Sequence, residues 1–557
     1  MEYTPSSRHI LAKLSNCDPT ILSDSKTINI YIRETTKKLN LDEINSSFFL
    51  YNPSGITIVI LLNQCQLTLN TNTNEKYATV NLFTTSTEAN LYCAFKYLSK
   101  TLKAANCEIN ELISDTSAYS QSQFALSSNS TKTLRAKSTY LSPIISILGS
   151  GGGVAKTVLS ILNRASKDRN DPINSFINSS KLHLIDLKQK DMKYYEKRFP
   201  NLKDKISLHQ FDVNKHKKLK AHLKETNTSI VLDVSFGDTV DMLKCCNCLG
   251  IIYINTAFES VSVDKNELVA GFQLQERYKI FESHRDKFKN TSAIICSGMN
   301  PGVVQWMAIE LMKKYPNKQP KACYIVENDT SFFEDEKLAD KNTIYTTWYP
   351  EGFLDEAVYS YPAFMKKHQP LFLYNKIYEL EFKVTLGENQ FYGCLMPHEE
   401  AITLGKMFDM ETGFIYKIND HTTNLIKANL DNINSLWNKP MKVLDPEVAP
   451  LKGEDSVGIL LVFEDSEAYM YNQLNNNEIY EKYKTNATYL QVAAGVYGAL
   501  AVILLDHIPQ GIYYVDELLV NTNNYYGKYL SYHLDKFIIG ENNHCDGDLI
   551  NRMSKVE

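Results

Sequence analysis

Apolar residues are most regularly spaced in the middle of the chain, on either side of a run of glycines. Ile144–Leu148 contains four aliphatic residues out of five, a pattern typical of a buried parallel strand. Residues 154–162 then carry apolar side chains at helical spacing. The pattern predicts a strand, a tight turn and a helix, in that order.

The turn between this strand and this helix has the composition of a phosphate-binding loop. A glycine-rich turn lets the backbone approach a pyrophosphate closely, and the N-terminus of the following helix attracts the anion. Gly149 would make the tight turn and Gly151 would leave room for the phosphates, whereas Val154 stands where a third glycine is usual. The predicted cofactor-binding residues are therefore Gly149, Ser150, Gly151, Gly152, Gly153 and Val154. A glycine loop alone is also compatible with an ordinary turn.

An acidic residue after the loop narrows the choice of cofactor. Residues 182–187 predict a second strand, and Asp186 lies near its end. A carboxylate at this place binds the ribose hydroxyls of NAD and repels the 2′-phosphate of NADP.

The polar residues 163–180 between the loop and this strand are expected to form an inserted surface loop. Further strand candidates, separated by helical stretches, predict a doubly wound α/β sheet: residues 206–213, 229–234 and 251–255.

Composition disfavours several classes of partner. The 557 residues include 59 Lys and Arg against 64 Asp and Glu, a formal net charge of −5, which disfavours nucleic-acid binding and suits a small cationic substrate. Eleven cysteines without disulfide spacing predict reduced thiols in a cytoplasmic protein. The clustered Cys245, Cys246 and Cys248 lack companion ligands, so no metal site is expected. The polar N-terminus and the short apolar run 490–505 predict no membrane segment, and the run is expected to be a buried helix.

The first 118 residues alternate strand and helix patterns, with a strand at 77–83 and an amphipathic helix at 94–105. They resemble the small, prokaryotic type of S-adenosylmethionine decarboxylase, which implies a small α/β domain. The resemblance rests on four runs in that family's order and spacing: residues 8–11, 52–55, 67–71 and 77–84. Members of that family cleave themselves at a Glu-Ser-His motif, and the serine becomes a pyruvoyl group.

The chemically demanding positions of that family are replaced here. Gln64, Cys65 and Gln66 stand at the cleavage motif, Asn70 stands at the processing histidine, and Thr85 stands at the later catalytic cysteine. The substitutions predict a degenerate domain that is not cleaved. We expect it to act as a docking or dimerisation module, and we expect the protein to be a homodimer.

A second resemblance covers the chain from about residue 143 to about residue 520, including the glycine loop. This region resembles the bacterial type of homospermidine synthase, a branch of the saccharopine-dehydrogenase-like superfamily. The matching runs are residues 299–306, 327–330, 347–356, 397–403, 458–461 and 486–492. The resemblance implies a Rossmann NAD-binding domain followed by an α+β catalytic domain.

The resemblance also implies a reaction. That family converts two putrescines into sym-homospermidine and ammonia, with NAD as a prosthetic group. One amine is oxidised to an iminium, the second amine displaces ammonia, and the new imine is reduced. Putrescine and related polyamines are thus the implied substrates, and the choice between putrescine and spermidine as aminobutyl donor stays open.

Five residues match the family's site. Glu327 and Glu400 would bind the amines, Asn300 would be a hydrogen-bonding partner, His398 would be the site histidine, and the indole face of Trp348 would stabilise the iminium. Without the resemblance, each has an ordinary structural interpretation. A lone tryptophan on a strand is more often core, and a histidine beside two glutamates at a helix start can simply complement the helix dipole.

The predicted domain order follows from both resemblances. It is listed here from the N-terminus: a degenerate decarboxylase-like domain at 1–118, a Ser- and Thr-rich linker at 119–140, the Rossmann domain at 141–300, the catalytic domain at 301–485, and a C-terminal helical segment at 486–557 that packs back on the Rossmann domain.

Two other functions remain open at this point. One is a related reductive-amination dehydrogenase that makes carboxyspermidine or saccharopine. Its carboxylated substrate needs a dedicated cation, and the matching runs contain no arginine. The other is a non-catalytic regulator that binds NAD or a polyamine, suggested by the degenerate N-terminal domain.

Overall fold

The computed structural model describes residues 7–39, 43–51, 55–63, 65–84, 91–115, 118–127, 142–506 and 508–555. The chain divides into two compact units, Met1–Ser138 and Thr139–Glu557. Both units mix helices with sheets, so the predicted α/β class is confirmed.

The first unit is a seven-stranded antiparallel sheet covered by helices. Its strands are β1 (Ser7–Ser15), β2 (Glu43–Tyr51), β3 (Gly55–Leu62), β4 (Cys65–Asn72), β5 (Tyr77–Thr84), β6 (Asn106–Asp115) and β7 (Ala118–Ser127), in the order β2-β3-β4-β5-β1-β6-β7. Its helices are α1 (Pro19–Ser23), α2 (Ser25–Leu39) and α3 (Leu91–Thr101). Alternate residues of β4 and β5 are buried and form one core with α2 and α3, because side chains two apart on a strand share a face.

The expected linker is partly wrong. Ala118–Ser127 forms β7 and pairs with β6 along its whole length. The edge of β6 supplies a pairing partner for this segment, which the Ser- and Thr-rich composition does not report. Residues 128–140 of the expected linker lie outside the described residues.

The second unit contains the remaining strands. They are β8 (Ile144–Leu148), β9 (Lys181–Asp186), β10 (Ile206–Gln210), β11 (Ile230–Asp233), β12 (Ile252–Asn255), β13 (Ala293–Ile295), β14 (Ala322–Asp329), β15 (Phe332–Phe333), β16 (Ile344–Thr346), β17 (Ala363–Lys366), β18 (Gln369–Phe372), β19 (Leu380–Leu386), β20 (Asn389–Met396), β21 (Glu411–Lys417), β22 (Met441–Val443), β23 (Leu451–Lys452), β24 (Glu454–Val462), β25 (Glu467–Asn475), β26 (Ile512–Tyr514), β27 (Phe537–Asn542) and β28 (Met553–Lys555).

Its helices connect and cover these strands. They are α4 (Gly153–Lys167), α5 (Asn174–Ser179), α6 (Met192–Arg198), α7 (His216–Glu225), α8 (Thr239–Leu249), α9 (Val261–Asp264), α10 (Gln273–Arg285), α11 (Val303–Lys314), α12 (Pro350–Leu354), α13 (Glu399–Met407), α14 (Asp420–Lys427), α15 (Asn476–Tyr483), α16 (Ala487–Leu505), α17 (Val515–Asn521), α18 (Tyr526–Leu530) and α19 (Leu549–Arg552). Short 3-10 segments lie at Pro200–Lys205, Glu267–Val269, Glu336–Leu338, Ile377–Glu379 and Leu430–Asn438, and a π-turn at Asp355–Tyr359.

Seven strands of this unit form a parallel sheet in the order β10-β9-β8-β11-β12-β13-β26. Strand order reverses between β8 and β11, and ligands of such sheets bind at the carboxyl ends of the strands beside this point. The predicted doubly wound sheet is confirmed, and the glycine loop that follows β8 lies at the reversal.

A second, mixed sheet carries the rest of the site. Its main path is β27-β25-β24-β14-β21-β20-β19-β28, with β17 and β18 joined beside β21. The central strand β14 pairs in parallel with β21 and antiparallel with β24. Acidic residues of these strands form the candidate site described below.

The buried helix expected at residues 490–505 is confirmed as α16. Within the described residues it is the one helix long and apolar enough to cross a membrane, but 83% of its apolar window is buried inside the protein. It contacts α4, β12 and β24. A Cβ on Gly495 would lie 2.0 Å from the carbonyl oxygen of Gly298, so the helix touches the loop after β13 directly.

Two further expectations are corrected. Residues 163–180 are not an open loop, because α4 continues to Lys167 and Asn174–Ser179 forms α5. Asp171 between them accepts a hydrogen bond from the hydroxyl of Tyr497 at 2.7 Å, which fixes the segment to α16. The C-terminal segment 486–557 is not only helical. Its β26 joins the parallel sheet, and β27 and β28 join the mixed sheet.

Candidate active site

The glycine loop has the close backbone packing that its sequence predicts. Gly149 has φ +76°, and a Cβ there would lie 2.7 Å from the carbonyl oxygen of Val234. The backbone N–H groups of Gly149 and Ser150 donate to the carbonyl of Ile185, at 3.0 and 3.2 Å. The turn is thereby fixed against β9 and β11, where only glycine fits at its first position.

Asp186 lies beside this loop, as predicted. Its carboxylate accepts hydrogen bonds from the N–H of Gly151 at 2.8 Å and from the N–H of Lys188 at 2.9 Å. A Cβ on Gly151 would lie 3.2 Å from that carboxylate, so a side chain would fill the space between loop and acid. The structure thus brings together the whole predicted set: Gly149, Ser150, Gly151, Gly152, Gly153, Val154 and Asp186.

The start of α4 fits an anionic cofactor. Gly152 caps the helix without a side-chain hydrogen bond, so the first N–H groups of a fifteen-residue helix are left for a ligand. Tyr489, from the first turn of α16, lies so close that its ring would be 2.2 Å from a Cβ on Gly153. These features fit a dinucleotide whose pyrophosphate lies at the helix N-terminus.

Three acidic side chains share one face of the mixed sheet. Glu327 and Asp329 are two residues apart on β14, and Asp455 pairs directly with Asp329 across β14 and β24. On the other side of β14, Tyr416 pairs with Glu327. Glu327 is 4% exposed and the two aspartates are fully buried, so this is an unusually acidic interior.

Asn300 connects this acidic face to the parallel sheet. It follows β13, and its amide donates a hydrogen bond to Glu327 at 2.6 Å. Glu399, at the start of α13, accepts a hydrogen bond from the N–H of Phe258 in the loop after β12, at 3.0 Å. The two sheets therefore meet at the carboxyl edge of the Rossmann strands, where a bound cofactor would end.

His398 and Glu400 form a buried ion pair. The Nδ1 atom of His398 lies 2.5 Å from a carboxylate oxygen of Glu400, which is fully buried. Burial disfavours the charged imidazole, but the Glu400 carboxylate outweighs it and, with Glu356 and Glu399, raises the pKa of His398 to about 10. His398 is therefore a cation near neutral pH.

Two carboxyl groups of the site have pKa values that are raised to near neutral pH. Burial and the neighbouring Asp329 raise the pKa of Glu327 to about 8, against the opposing effects of Asn300 and His398. Burial also raises the pKa of Glu356, to about 7. A carboxyl with such a pKa can exchange a proton with an amine at physiological pH.

Trp348 lies next to the acidic face. Its indole N–H is 3.5 Å from the hydroxyl of Tyr416, the partner of Glu327 across the sheet. The ring meets Phe353 edge-on at 6.2 Å. Trp348 is half-buried, and the following loop is held against the Rossmann edge by a ring contact between Tyr349 and Phe236 at 4.3 Å. The structure therefore brings together all five predicted catalytic residues: Asn300, Glu327, Trp348, His398 and Glu400.

A chain of four oxygens joins Asp329 to Asp455 through two threonines. The contacts are 2.6 Å from Asp329 to Thr347, 2.9 Å from Thr347 to Thr488, and 2.5 Å from Thr488 to Asp455. Two hydroxyl protons cannot serve three hydrogen bonds, so a carboxyl supplies the third. Burial raises the pKa of both aspartates, and the charges of Glu327 and Asp329 raise that of Asp455 further, so the pair holds one proton between them.

Three carboxyl oxygens around this site are buried without a hydrogen-bond partner in the described part of the chain. They are Oε2 of Glu356, Oε1 of Glu400 and Oδ1 of Asp455. An unpaired buried carboxyl oxygen costs free energy, on the order of 1–3 kcal/mol or more. The acceptors are thus available for a ligand that carries several N–H donors.

Sequence patterns did not identify Glu356, Tyr416 or Asp455 as site residues. Glu356 ends the matching run 347–356, so the resemblance contained a signal for it. Asp455 could not be placed, because its facing depends on the register between β24 and β14. Tyr416 required knowledge of which strand follows on the other side of β14.

In the first unit, Cys65 is buried, and burial raises the pKa of its thiol to about 11, against a hydrogen bond from Thr84. Asn70 accepts a hydrogen bond from the hydroxyl of Thr57 at 2.6 Å. Gln64, Thr85 and residues 52–54 lie outside the described residues. Since a thiolate is the nucleophilic form of cysteine, this environment disfavours attack on the backbone.

Two parts of the chain match known families. Residues 8–114 match the family described as S-adenosylmethionine decarboxylase, and residues 145–288 match the saccharopine dehydrogenase NADP binding domain. An S-adenosylmethionine decarboxylase proenzyme of Thermosipho melanesiensis is 32% identical over 104 residues, which is 19% of this chain and 80% of that protein. The first predicted resemblance is confirmed.

The second unit has a relative of its own. A homospermidine synthase of Mesorhizobium japonicum is 27% identical over 356 residues, covering 52% of this chain and 70% of that protein. The structure of saccharopine dehydrogenase (L-Glu forming) from Saccharomyces cerevisiae aligns over 72% of this chain and 99% of its own, with 10% identity and a TM-score of 0.45. The second predicted resemblance is confirmed at the level of homology, and the family matches indicate a nicotinamide cofactor.

Proposed function

We propose that this chain, whose residues 8–114 belong to the S-adenosylmethionine decarboxylase family, carries its activity in the second unit as a homospermidine synthase. Two putrescines would give sym-homospermidine and ammonia, with NAD as the cofactor. The homospermidine synthase of Mesorhizobium japonicum supports this assignment at 27% identity. The pyruvoyl chemistry of the first unit's family is not part of the proposal.

The observation that carries the proposal is the set of unpartnered carboxyl oxygens. Glu356, Glu400 and Asp455 each leave one buried oxygen without a donor among the described residues, and Glu327 has a raised pKa beside them. A diammonium ligand supplies up to six N–H donors and two positive charges, which would satisfy these acceptors. A carboxylated substrate fits less well, because two cations that act on Glu356 are already paired, His398 with Glu400 and Arg277 with Asp264.

The residues of the site would divide the work. When bound, the nicotinamide supplies reversible hydride transfer, so no outside oxidant is needed. Glu327 would take the proton from the donor ammonium, because only a neutral amine can lose hydride or attack an iminium. Asn300 would hold that carboxylate in place, and the indole face of Trp348 would lie against the cationic carbon. His398 would hold one carboxyl oxygen of Glu400, and the other oxygen of Glu400 would bind ammonium.

The reaction is tested with labelled substrate. The purified full-length chain is incubated with NAD and an equal mixture of unlabelled and perdeuterated putrescine, and polyamines are analysed by mass spectrometry. We expect homospermidine of light, mixed and heavy mass, together with one ammonia per product, because each product takes one aminobutyl group from each of two molecules. Homospermidine without the mixed species, or none at all under conditions where NAD binds, would contradict the proposal.

We expect NAD to bind more tightly than NADP, through Asp186. Asp186→Ala removes charge-assisted hydrogen bonds to the ribose and should weaken NAD binding by about 1.5–3 kcal/mol, roughly 10- to 150-fold. NADP binding should change less, because the 2′-phosphate is repelled by the carboxylate that is removed. Calorimetric titration of both cofactors measures this. Tighter binding of NADP than of NAD by the unmodified protein would refute it.

The first unit should be chemically silent. Gln66 and Asn70 cannot exchange protons as imidazoles do near neutral pH, and the Cys65 thiol is kept protonated by burial. The acyl shift and elimination that precede a pyruvoyl group then both stall. Intact-mass analysis of freshly purified protein should show one polypeptide of 63.6 kDa. Two fragments that meet between Gln64 and Cys65 would show that the domain still processes itself.

A further inference from the structure

Three histidines outside the active site meet at the edge of the parallel sheet. His183 lies on β9, His209 on the edge strand β10, and His222 on α7. In the register of β9 and β10, His209 pairs with Ile185, two residues from His183, so both imidazoles lie on the same face. The helix α7 packs on that face through Leu219 and Leu223 and places His222 over the pair.

The three rings approach closely enough to share a ligand. The Nδ1 atom of His183 and the Nε2 atom of His209 are 2.9 Å apart, and the ring centroids of His209 and His222 are 4.3 Å apart. One ring nitrogen of each histidine lies within 4.8 Å of one from each of the others. No carboxylate takes part in this cluster within the described residues.

Hydrogen bonding between the rings explains the placement of His183 and His209 but not that of His222. His183 and His209 can share one proton between them, but the Nε2 atom of His222 is buried and has no partner in the described ranges of the chain. The buried Nε2 atom of His222 is therefore available to a ligand that the other two rings can share. A cluster of neutral imidazoles is the ordinary ligand set of a divalent transition metal.

We propose that His183, His209 and His222 bind one divalent first-row transition-metal ion, with Zn²⁺ the expected occupant and water as its fourth ligand. Tetrahedral Zn²⁺ with Zn–N of ~2.0–2.1 Å places its ligand nitrogens about 3.3 Å apart. The observed separations lie on either side of this value or close to it, with 2.9 Å between one pair of nitrogens and no separation above 4.8 Å. His183 and His209 are half-buried, which leaves an open side for the water.

The helix α7 packs on the hydrogen-bonded strands β9 and β10 through apolar side chains, and the ion would add a direct link between them. One further residue, Gln189, connects this cluster to the cofactor loop. The amide of Gln189 donates to the carbonyl of His209 at 3.1 Å and to the hydroxyl of Ser150 at 2.9 Å. The test of this metal site does not depend on the reaction proposed above.

The test uses the full-length chain freed of metal with a chelator and then titrated with Zn²⁺ and with Co²⁺. We expect one equivalent to bind, the Co²⁺ form to show the visible absorption of a four-coordinate site, and the melting temperature to rise by a few degrees at saturating Zn²⁺. Co²⁺ is used because Zn²⁺ has no visible spectrum.

Variants locate the site. His183→Gln, His209→Gln and His222→Gln should each weaken Zn²⁺ binding by more than the roughly 10- to 100-fold that loss of a second-shell partner costs. His544→Gln, on the exposed surface near Asp546, is the matched control and should leave binding unchanged. If His222→Gln does not fold, the two half-buried positions carry the test. Failure of the unmodified chain to bind Zn²⁺, or equal binding by the triad variants and the control, would overturn the proposal.

Discussion

Glu327→Gln should lower the turnover of putrescine by roughly 10²–10⁴-fold, the usual contribution of a positioned general base, while NAD binding stays intact. Gln keeps the shape of the side chain and can still bond to Asn300. It cannot accept a proton from the donor ammonium. Steady-state kinetics with putrescine and cofactor titration of the same variant separate the two effects.

The role of Glu327 as a base also predicts how kcat/KM changes with pH. Burial and Asp329 raise the pKa of Glu327 to about 8, so the carboxyl is protonated below this value in the free enzyme and ionised above it. Because the ionised form is the base, kcat/KM should rise with pH until about 8. The rise should vanish in Glu327→Gln. The same rising limb in the variant would show that another group, or the substrate itself, is responsible.

Glu400→Gln is the companion variant, since it removes a charge from the same site without removing the base. Putrescine should be held less well, because one ammonium partner is lost, and the pKa of His398 should fall towards its ordinary value. NAD affinity should again be unchanged. Unaltered kinetics in both glutamine variants would mean that these acids lie outside the substrate site.

Trp348→Ala should lower turnover by well over tenfold. A desolvated cation–π contact contributes about 2 kcal/mol or more, and that amount corresponds to roughly 30-fold in rate. Trp348→Phe should keep more activity than Trp348→Ala, because a weaker ring face remains. Trp306→Phe, on α11 in contact with Phe537, is the matched control for the loss of an indole and should keep near-normal turnover.

The comparison of the two Trp348 variants is decisive when both are folded. Equal impairment of the Phe and Ala variants, with melting temperatures close to the unmodified protein, would leave only a packing role for the indole. Measurement of the melting temperature beside turnover distinguishes this outcome from simple destabilisation.

The parts of the fold that could be predicted are those set by local sequence. The strand Ile144–Leu148, the turn at Gly149 and the helix after it depend on neighbouring residues, and all three occur where expected. Asp186 follows the same logic, because it ends the next strand along the chain. The length and apolar composition of residues 490–505 likewise identified α16 as a buried helix.

The parts that could not be predicted depend on pairing between distant segments. The Ser-rich Ala118–Ser127 becomes a strand only because β6 offers an edge. Likewise β26 joins the parallel sheet from more than two hundred residues away from β13. No periodicity along the chain reports a partner at such a distance.

The candidate site likewise has some residues that the sequence identified and other features that only the folded structure shows. Asn300, Glu327, Trp348, His398 and Glu400 were placed together by a family resemblance, not by physical reasoning about their spacing. The resemblance could not reveal that Glu400 raises the pKa of His398, because this follows from a 2.5 Å contact inside the folded protein. The facing of Asp455 likewise needed the register of two strands.

The first turn of α16 contacts both the acidic face of the mixed sheet and the start of the cofactor helix. Thr488 contacts Asp455 at 2.5 Å, and the adjacent Tyr489 lies against Gly153 at the start of the cofactor helix. If the proposed amine and cofactor bind at these two places, this turn would couple their binding energetically. Any factor by which NAD changes putrescine affinity must then be returned by putrescine on NAD, because thermodynamic coupling is reciprocal.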